Sequence, residues 1–358
     1  MYTKNKFIKI VSFIIICLST FILVTIPTTI VESKIFKISD IEISEPFDAK
    51  FNKEKVINEG FSAAFEELTS SIITTKDKPK IKSTKLDEIK YLIESFEINN
   101  ESFLGKKYIA NFNVNFNKKR TLNFFEKKNI FPSLKKNKDF LTILIFIDND
   151  KNQIFLYEKN PFYENWNNIN EKYFLINYVL IDEDLDNIKL INENKENIEN
   201  YQFDEIIKKY DLDDYIISII FKNEKKLRIL SKFFFDKKLK IINHVYNDVD
   251  LSNQNKLNSL IFQTKVNLED LWKSNNLINT SLKLPINLQL NSKDNRKIVN
   301  LEREMDKIDL IYDYYVTRIS NKNMNFKIIF NGSPKQFLNI MSERNIKINI
   351  ENEIWKVK

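Results

Sequence analysis

KYFLINYVLIDEDLD, residues 172–186, followed by FDEIIKKYDLDDYIISIIF, residues 203–221, decides how the chain is read. The run YFLINYVLI is apolar except for one asparagine and stops at the acidic turn Asp182-Glu183-Asp184-Leu185-Asp186. That is the profile of a buried strand meeting solvent at its end. FDEIIKKY has helical spacing, and DYIISIIF is a second apolar run. Sheet and helix therefore alternate here, and the rest of the chain can be read outward from this stretch.

At 358 residues the length favours two or three domains, since single cores stop growing near roughly 250–300 residues. Three glycines, and 50 lysines against six arginines, mark a composition rich in Lys, Asn, Ile and Phe. These are the amino acids of AT-rich codons, so base composition is the first reading and function the second. The amino terminus carries Lys4, Lys6 and Lys9, an uncharged apolar run from Ile10 to Ile26, Pro27, and the small-residue pattern Val31-Glu32-Ser33. This order predicts a secretory signal cleaved after Ser33. The alternative is an uncleaved inner-membrane anchor, because residues 10–31 are long enough to span a hydrocarbon core of about 30 Å. Either way residues 34–358 are expected in the periplasm. The single cysteine, Cys17, follows Ile16 rather than the small residue a lipoprotein cut would need. The exported part then has no thiol, disulfide or thiolate metal site.

Three modules are expected, over residues 34–139, 140–278 and 279–358. In the first, IFKISDIEIS alternates as a strand and Asn52–Ile73 is an amphipathic helix with Val56, Phe61, Ala64, Phe65, Leu68 and Ile72 on one face. Leu86–Ile93 is a second helix, and Phe96–Phe103 and Tyr108–Phe116 form a hairpin around Gly105. Lys118–Lys128 is a helix before the buried strand FLTILIFI, residues 140–147. The central module continues through the aromatic loop Asn160–Trp166 and the opening stretch to strands 225–235 and 240–246. Helix 253–276 ends it, with Leu257, Leu260, Ile261, Leu268, Leu271 and Trp272 largely on one face. The last module reads strand, helix, strand, strand, helix, strand, the ferredoxin-like order, with Ser333 capping and Pro334 opening its second helix. The expected class is α+β, and the first and last modules could share an architecture.

Four features resemble the uncharacterised bacterial envelope proteins known as the domain of unknown function 2066 family. They are the exported start, the helix GFSAAFEELTSSI, the segment NFNKKRTLNFFEKKNIFPSLKKNKDFLTILIFI, and VLIDEDLD followed by FDEIIKKYDLDDYIISII. Asp182 and Asp184 stand where that family's acidic pair after a strand would be sought. The resemblance implies an exported α+β protein of unknown activity and supplies no catalytic residues.

Asp182, Asp184, Asp186 and Glu193 occupy positions one, three, five and twelve of a calcium loop, although position six is Asn187 where glycine makes the sharp turn. A solvated acidic turn after a strand needs no such geometry. Asp211, Asp213 and Asp214 form a second acidic cluster, read as a polar loop. His244 is the sole histidine, so a triad or an imidazole zinc site has almost nothing to draw on. No nucleophile elbow, phosphate loop or dinucleotide fingerprint is present, and no cofactor is expected.

Charge is the stronger lead. Residues 117–138 hold Lys118, Lys119, Arg120, Lys127, Lys128, Lys135, Lys136 and Lys138 against Glu126, a local +7; since residues 1–33 carry +2 of the total +7, the exported part carries +5 and its remainder about −2. Phe124, Phe125, Ile130 and Phe131 interleave, so an anionic partner could meet a basic rim beside an apolar centre. A solvated helix with its phenylalanines in the core is the alternative. The expectation is a non-enzymatic interaction or assembly factor of the cell envelope, meeting an envelope protein or an anionic envelope surface and no nucleic acid. Membrane contact is expected only through the N-terminal segment if it is uncleaved. A calcium-dependent or carboxylate-based hydrolase using the acidic turn is the alternative function.

Overall fold

The computed structural model describes residues 36–351 and 354–358, which form one compact unit. Residues 1–33, expected as a signal or anchor segment, lie outside them. Among the described residues the chain is an α+β protein built on three separate sheets of three, six and five strands. No helix among them is long and apolar enough to cross a membrane.

The first sheet contains β1 (Lys37–Pro46), β2 (Ile93–Leu104) and β3 (Lys107–Phe116) in the order β1-β3-β2, with β3 antiparallel to both neighbours. Alternation makes β3 its centre, because Tyr108, Ala110, Phe112, Val114 and Phe116 are all buried. Helix α1 (Lys53–Ile72) starts where Asn52 accepts the N–H groups of Glu54 and Lys55, and it buries the face read from its spacing. Its Gly60 lies where a Cβ would sit 3.0 Å from the ring of Phe112, so helix and sheet meet closely enough that an alanine there needs the ring to give by a few tenths of an ångström. Two further helices, α2 (Leu86–Leu92) and α3 (Lys118–Lys127), complete this part.

The second sheet is organised by β4 (Lys138–Asp148), the FLTILIFI strand. The short β5 (Gln153–Phe155) and then β6 (Ile176–Leu180) lie along one edge of β4, and β7 (Tyr215–Asn223) lies along the other. Both β6 and β7 run parallel to β4, which obliges the chain to cross over the sheet between them. Helix α4 (Pro161–Asn165) lies on one route. On the other route lie α5 (Leu185–Glu193) and α6 (Asp204–Ile207). Hairpin strands β8 (Lys226–Phe235) and β9 (Lys238–Tyr246) extend the sheet, and α7 (Gln254–Asn275) closes the side carrying α4. Phe140 and Leu144 pack in the core with α7, while Leu141, Ile143 and Ile145 pack in the core with α5 and α6. Burial on both faces explains why β4 reads as an unbroken apolar run. The aromatic loop expected over Asn160–Trp166 is instead a helical turn. Buried Asn160 caps it by accepting the N–H of Phe162, and its amide donates to the carbonyl of Leu144 at 3.0 Å.

The third sheet follows β10 (Leu284–Asn291), α8 (Asn295–Asp306), β11 (Ile311–Ile319), β12 (Asn323–Phe330), α9 (Pro334–Glu343), β13 (Ile348–Glu351) and β14 (Ile354–Val357). Its strand order is β11-β12-β10-β14-β13. The path of first strand beside third beside second is the one seen in the first sheet. A plain ferredoxin-like unit would set the strand after α9 beside β10. Here the final hairpin inserts β14 between them, parallel to β10 through Leu288 and Trp355. The first and third sheets share one continuous core running from Phe36 to Ile346, whereas the central sheet has a separate core on each face.

Candidate interaction surfaces

The basic segment is divided by the fold. Half-buried Lys118 donates to the carbonyl of Ile308 at 2.6 Å, and burial pushes its ammonium down to about 8 despite Asp309 and Asp306 nearby. Lys119 pairs with Asp313, and Arg120 donates to the carbonyl of Tyr91 at 2.7 Å while lying over its ring. Lys138 pairs with Asp214 at 3.0 Å. Four of the eight cations therefore have partners within the fold, and two of them, Lys118 and Lys119, tie α3 to the start of β11 and the residues just before it. Lys128 lies 5.0 Å from the Phe124 ring, and burial raises the pKa of Glu67 with the charge of half-buried Lys135 pulling against it. The side chains of Lys127 and Lys136 are exposed, and the carbonyl of Lys136 accepts the indole N–H of Trp272. Phe125 and Ile130 are core residues, leaving Phe131 as the exposed aromatic of the segment.

The calcium loop does not form. Asp184 is the cap of α5, accepting the N–H of Asp186 at 2.8 Å and pairing with Lys209. The nine-residue helix that follows carries Glu193 about 13 Å away at 1.5 Å per residue, so the four carboxylates cannot close around one ion. Asn187 is buried, donating to the hydroxyl of Tyr157 at 3.0 Å and accepting from Lys209 at 2.7 Å. The N–H of Asp182 goes to the hydroxyl of Tyr210. Among the described residues no three acidic, histidine or cysteine side chains are grouped to hold a metal. Of the second acidic cluster, Asp211 and Asp213 are exposed, while Asp214 also accepts the N–H of Asp236. His244 is half-buried on β9 beside Tyr246.

One polar feature escaped the sequence reading. Lys265, Glu269 and Lys273, four residues apart on α7, are all buried. Glu269 accepts the N–H groups of Leu175 and Ile176, both at 2.9 Å, and so fixes the start of β6. Lys265 donates to the carbonyl of Ile169 at 2.7 Å with its ammonium 4.5 Å from the Tyr178 ring, and burial pushes it down to about 8 against the opposing pull of Glu269. Lys273 donates to the carbonyl of Ser70 at 2.6 Å, tying α7 to α1. The signal was present: Lys265 lies between Ile261 and Leu268 at the same helical spacing as the apolar face.

Three surface features remain. A cleft of about 700 Å³ runs beside α1, with Phe65, Ile81 and Ile89 in its lining and Lys78 and Lys82 among its polar residues. Strand β9 is the outer strand of the central sheet, and Leu239 (50 % exposed), Ile241 (58 %) and Val245 (59 %) stand on one side of it. The cover over that side ends at β8, where Lys232 donates to the carbonyl of Tyr201 and lies over the Phe203 ring. Finally, Phe47, Phe103 and Leu104 project at the turn between β2 and β3.

No protein-family model matches the chain, and no curated protein matches it. Among solved structures, one described as an uncharacterized protein matches 39% of this chain and 91% of its own at 7% identity, with a TM-score of 0.17. That similarity is too low to carry a fold or a function.

Proposed function

We propose that the chain is a non-enzymatic interaction or assembly factor of the bacterial cell envelope, exported by its N-terminal segment, and that it holds an extended segment of an envelope protein along β9. The uncovered edge of β9 carries this reading. Three large apolar side chains share one side of a nine-residue outer strand whose backbone polar groups are open to a further strand. Lys238 and Lys240 on the same strand would favour an acidic flank in the partner. Membership of the domain of unknown function 2066 family belongs to the same proposal and rests on the four sequence features alone. The anionic-partner role first read along residues 118–138 narrows to Lys127 and Lys136, whose side chains are exposed.

The test is a photo-crosslinking residue at position 241, expressed in the native host, with mass spectrometry of the adduct. The expected result is one envelope protein crosslinked through an extended segment and lost in Leu239→Lys/Val245→Lys. Crosslinks no different from those at a control position on an exposed helix face would overturn the reading. Reversing the charges of Lys127 and Lys136 should weaken retention in a salt-sensitive way, and unaltered retention removes them from the surface.

A further inference from the structure

We propose that the tip formed by the β2–β3 turn and the end of β1 docks on an anionic lipid surface. Phe47 (47 % exposed) and Phe103 (60 %) stand together there, and Leu104 (65 %) ends β2 beside the turn. They are not loose side chains. Phe47 packs edge-on against Phe51 at 5.0 Å and Phe103 at 4.8 Å, and both of those rings pack against buried Tyr108. Tyr108 in turn donates to Glu101 at 2.7 Å, and the N–H of Phe47 donates to the carbonyl of Lys106 at 2.7 Å, which pins the end of β1 to the hairpin. Gly105 makes the turn at φ +63° with no atom within 4 Å of where a Cβ would be, so the tip faces open space.

Charge selects the occupant. Lys53 is consumed by Glu101, but Lys50, Lys106 and Lys107 are exposed around the rings, with Asp48 as the nearest acidic residue in sequence and its carboxylate accepting the N–H of Lys50. A rigid cluster of aromatic and aliphatic side chains rimmed by a net positive charge suits a bilayer interface carrying anionic headgroups. There the rings enter the boundary region and the lysines stay with the phosphates. This surface is separate from β9 and from residues 118–138, so it stands or falls independently of the strand-addition proposal.

The test uses the exported part, residues 34–358, which form one compact unit, with Leu104→Cys as its sole thiol, labelled at position 104 with an environment-sensitive fluorophore. Because the label reports the tip itself, binding of any other part of the chain leaves it unchanged. Vesicles of phosphatidylcholine with phosphatidylglycerol should shift its emission to the blue and expose it to quenching by bilayer-embedded nitroxide lipid. Phosphatidylcholine alone should do neither. Replacing Lys50, Lys106 and Lys107 by Gln should weaken the response on the order of 100-fold, about fivefold per lysine, and added salt should reverse it. An emission indifferent to anionic vesicles overturns the proposal. So does a shift produced by the host's envelope proteins without lipid, which would assign the tip to a protein partner.

Discussion

Replacing Glu269 tests the buried charge line of α7 and, through it, how the central sheet is held. Its carboxylate accepts two backbone N–H groups at 2.9 Å and is buried with Lys265 and Lys273 four residues away on either side. Hydrogen bonds to a charged group contribute about 1.5–3 kcal/mol each. Glu269→Ala removes both, strands the N–H groups of Leu175 and Ile176, and takes away the negative charge that raises the pKa values of Lys265 and Lys273. The expected cost is about 3–5 kcal/mol, from the two charged hydrogen bonds and the stranded donors. Glu269→Gln keeps one acceptor but turns an amide NH2 toward the other N–H, so roughly 2 kcal/mol is expected. Urea unfolding followed by circular dichroism measures the global term, and hydrogen exchange at the amides of residues 175 and 176 reads the site itself. A cost below about 1 kcal/mol for Glu269→Ala, or unchanged exchange at those two amides, would refute the assignment of Glu269 as the clamp on β6.

Gly60→Ala should destabilise by about 1 kcal/mol net, because crowding against the Phe112 ring outweighs the helix propensity gained, and a higher melting temperature would show that the ring can yield. Lys265 and Lys118 both titrate near 8 in the fold against an ordinary 10.5, so the unfolded chain binds more protons above that point. Stability should therefore rise with pH between about 8 and 9.5, below the range where tyrosines titrate, and Lys265→Met should flatten the slope in a pH series of urea midpoints. Asp184→Ala should lower the melting temperature by uncapping α5 and releasing Lys209. Calcium should leave the melting temperature of the unaltered chain in place, and a calcium-dependent rise would reinstate the loop.

Most of the element order was readable because short-range physics writes it. Period-two burial in β3, period-3.6 burial in α1, and the Asn52 and Ser333 caps are each decided by neighbours within a few residues. Helix α5 was not readable in the same way. Its sequence LDNIKLINE buries only Asn187 and Ile191, too few to mark a face, and the acidic spacing around Asp184 suggested a loop instead of a cap. The same kind of error made residues 117–138 look like one basic surface: charges adjacent in sequence acquire different partners once the chain is folded. Of the tip residues, Phe47 follows β1 and Leu104 ends β2, far apart in sequence, and the turn chemistry at Gly105 located only half of the site.

By itself, then, the sequence determined the α+β class, the positions of most strands and helices, and the shortage of conventional catalytic groups, since all of these follow from local periodicity and from which side chains exist. Only the tertiary structure decided that β4 lies between two parallel strands and that the first and third sheets share a core. It alone decided that Lys118, Lys119, Arg120 and Lys138 are structural ties and that β9 and the β2–β3 tip are left uncovered. Those outcomes depend on contacts between residues far apart along the chain, such as Lys118 with Ile308 and Lys273 with Ser70, whose pairing no local pattern encodes.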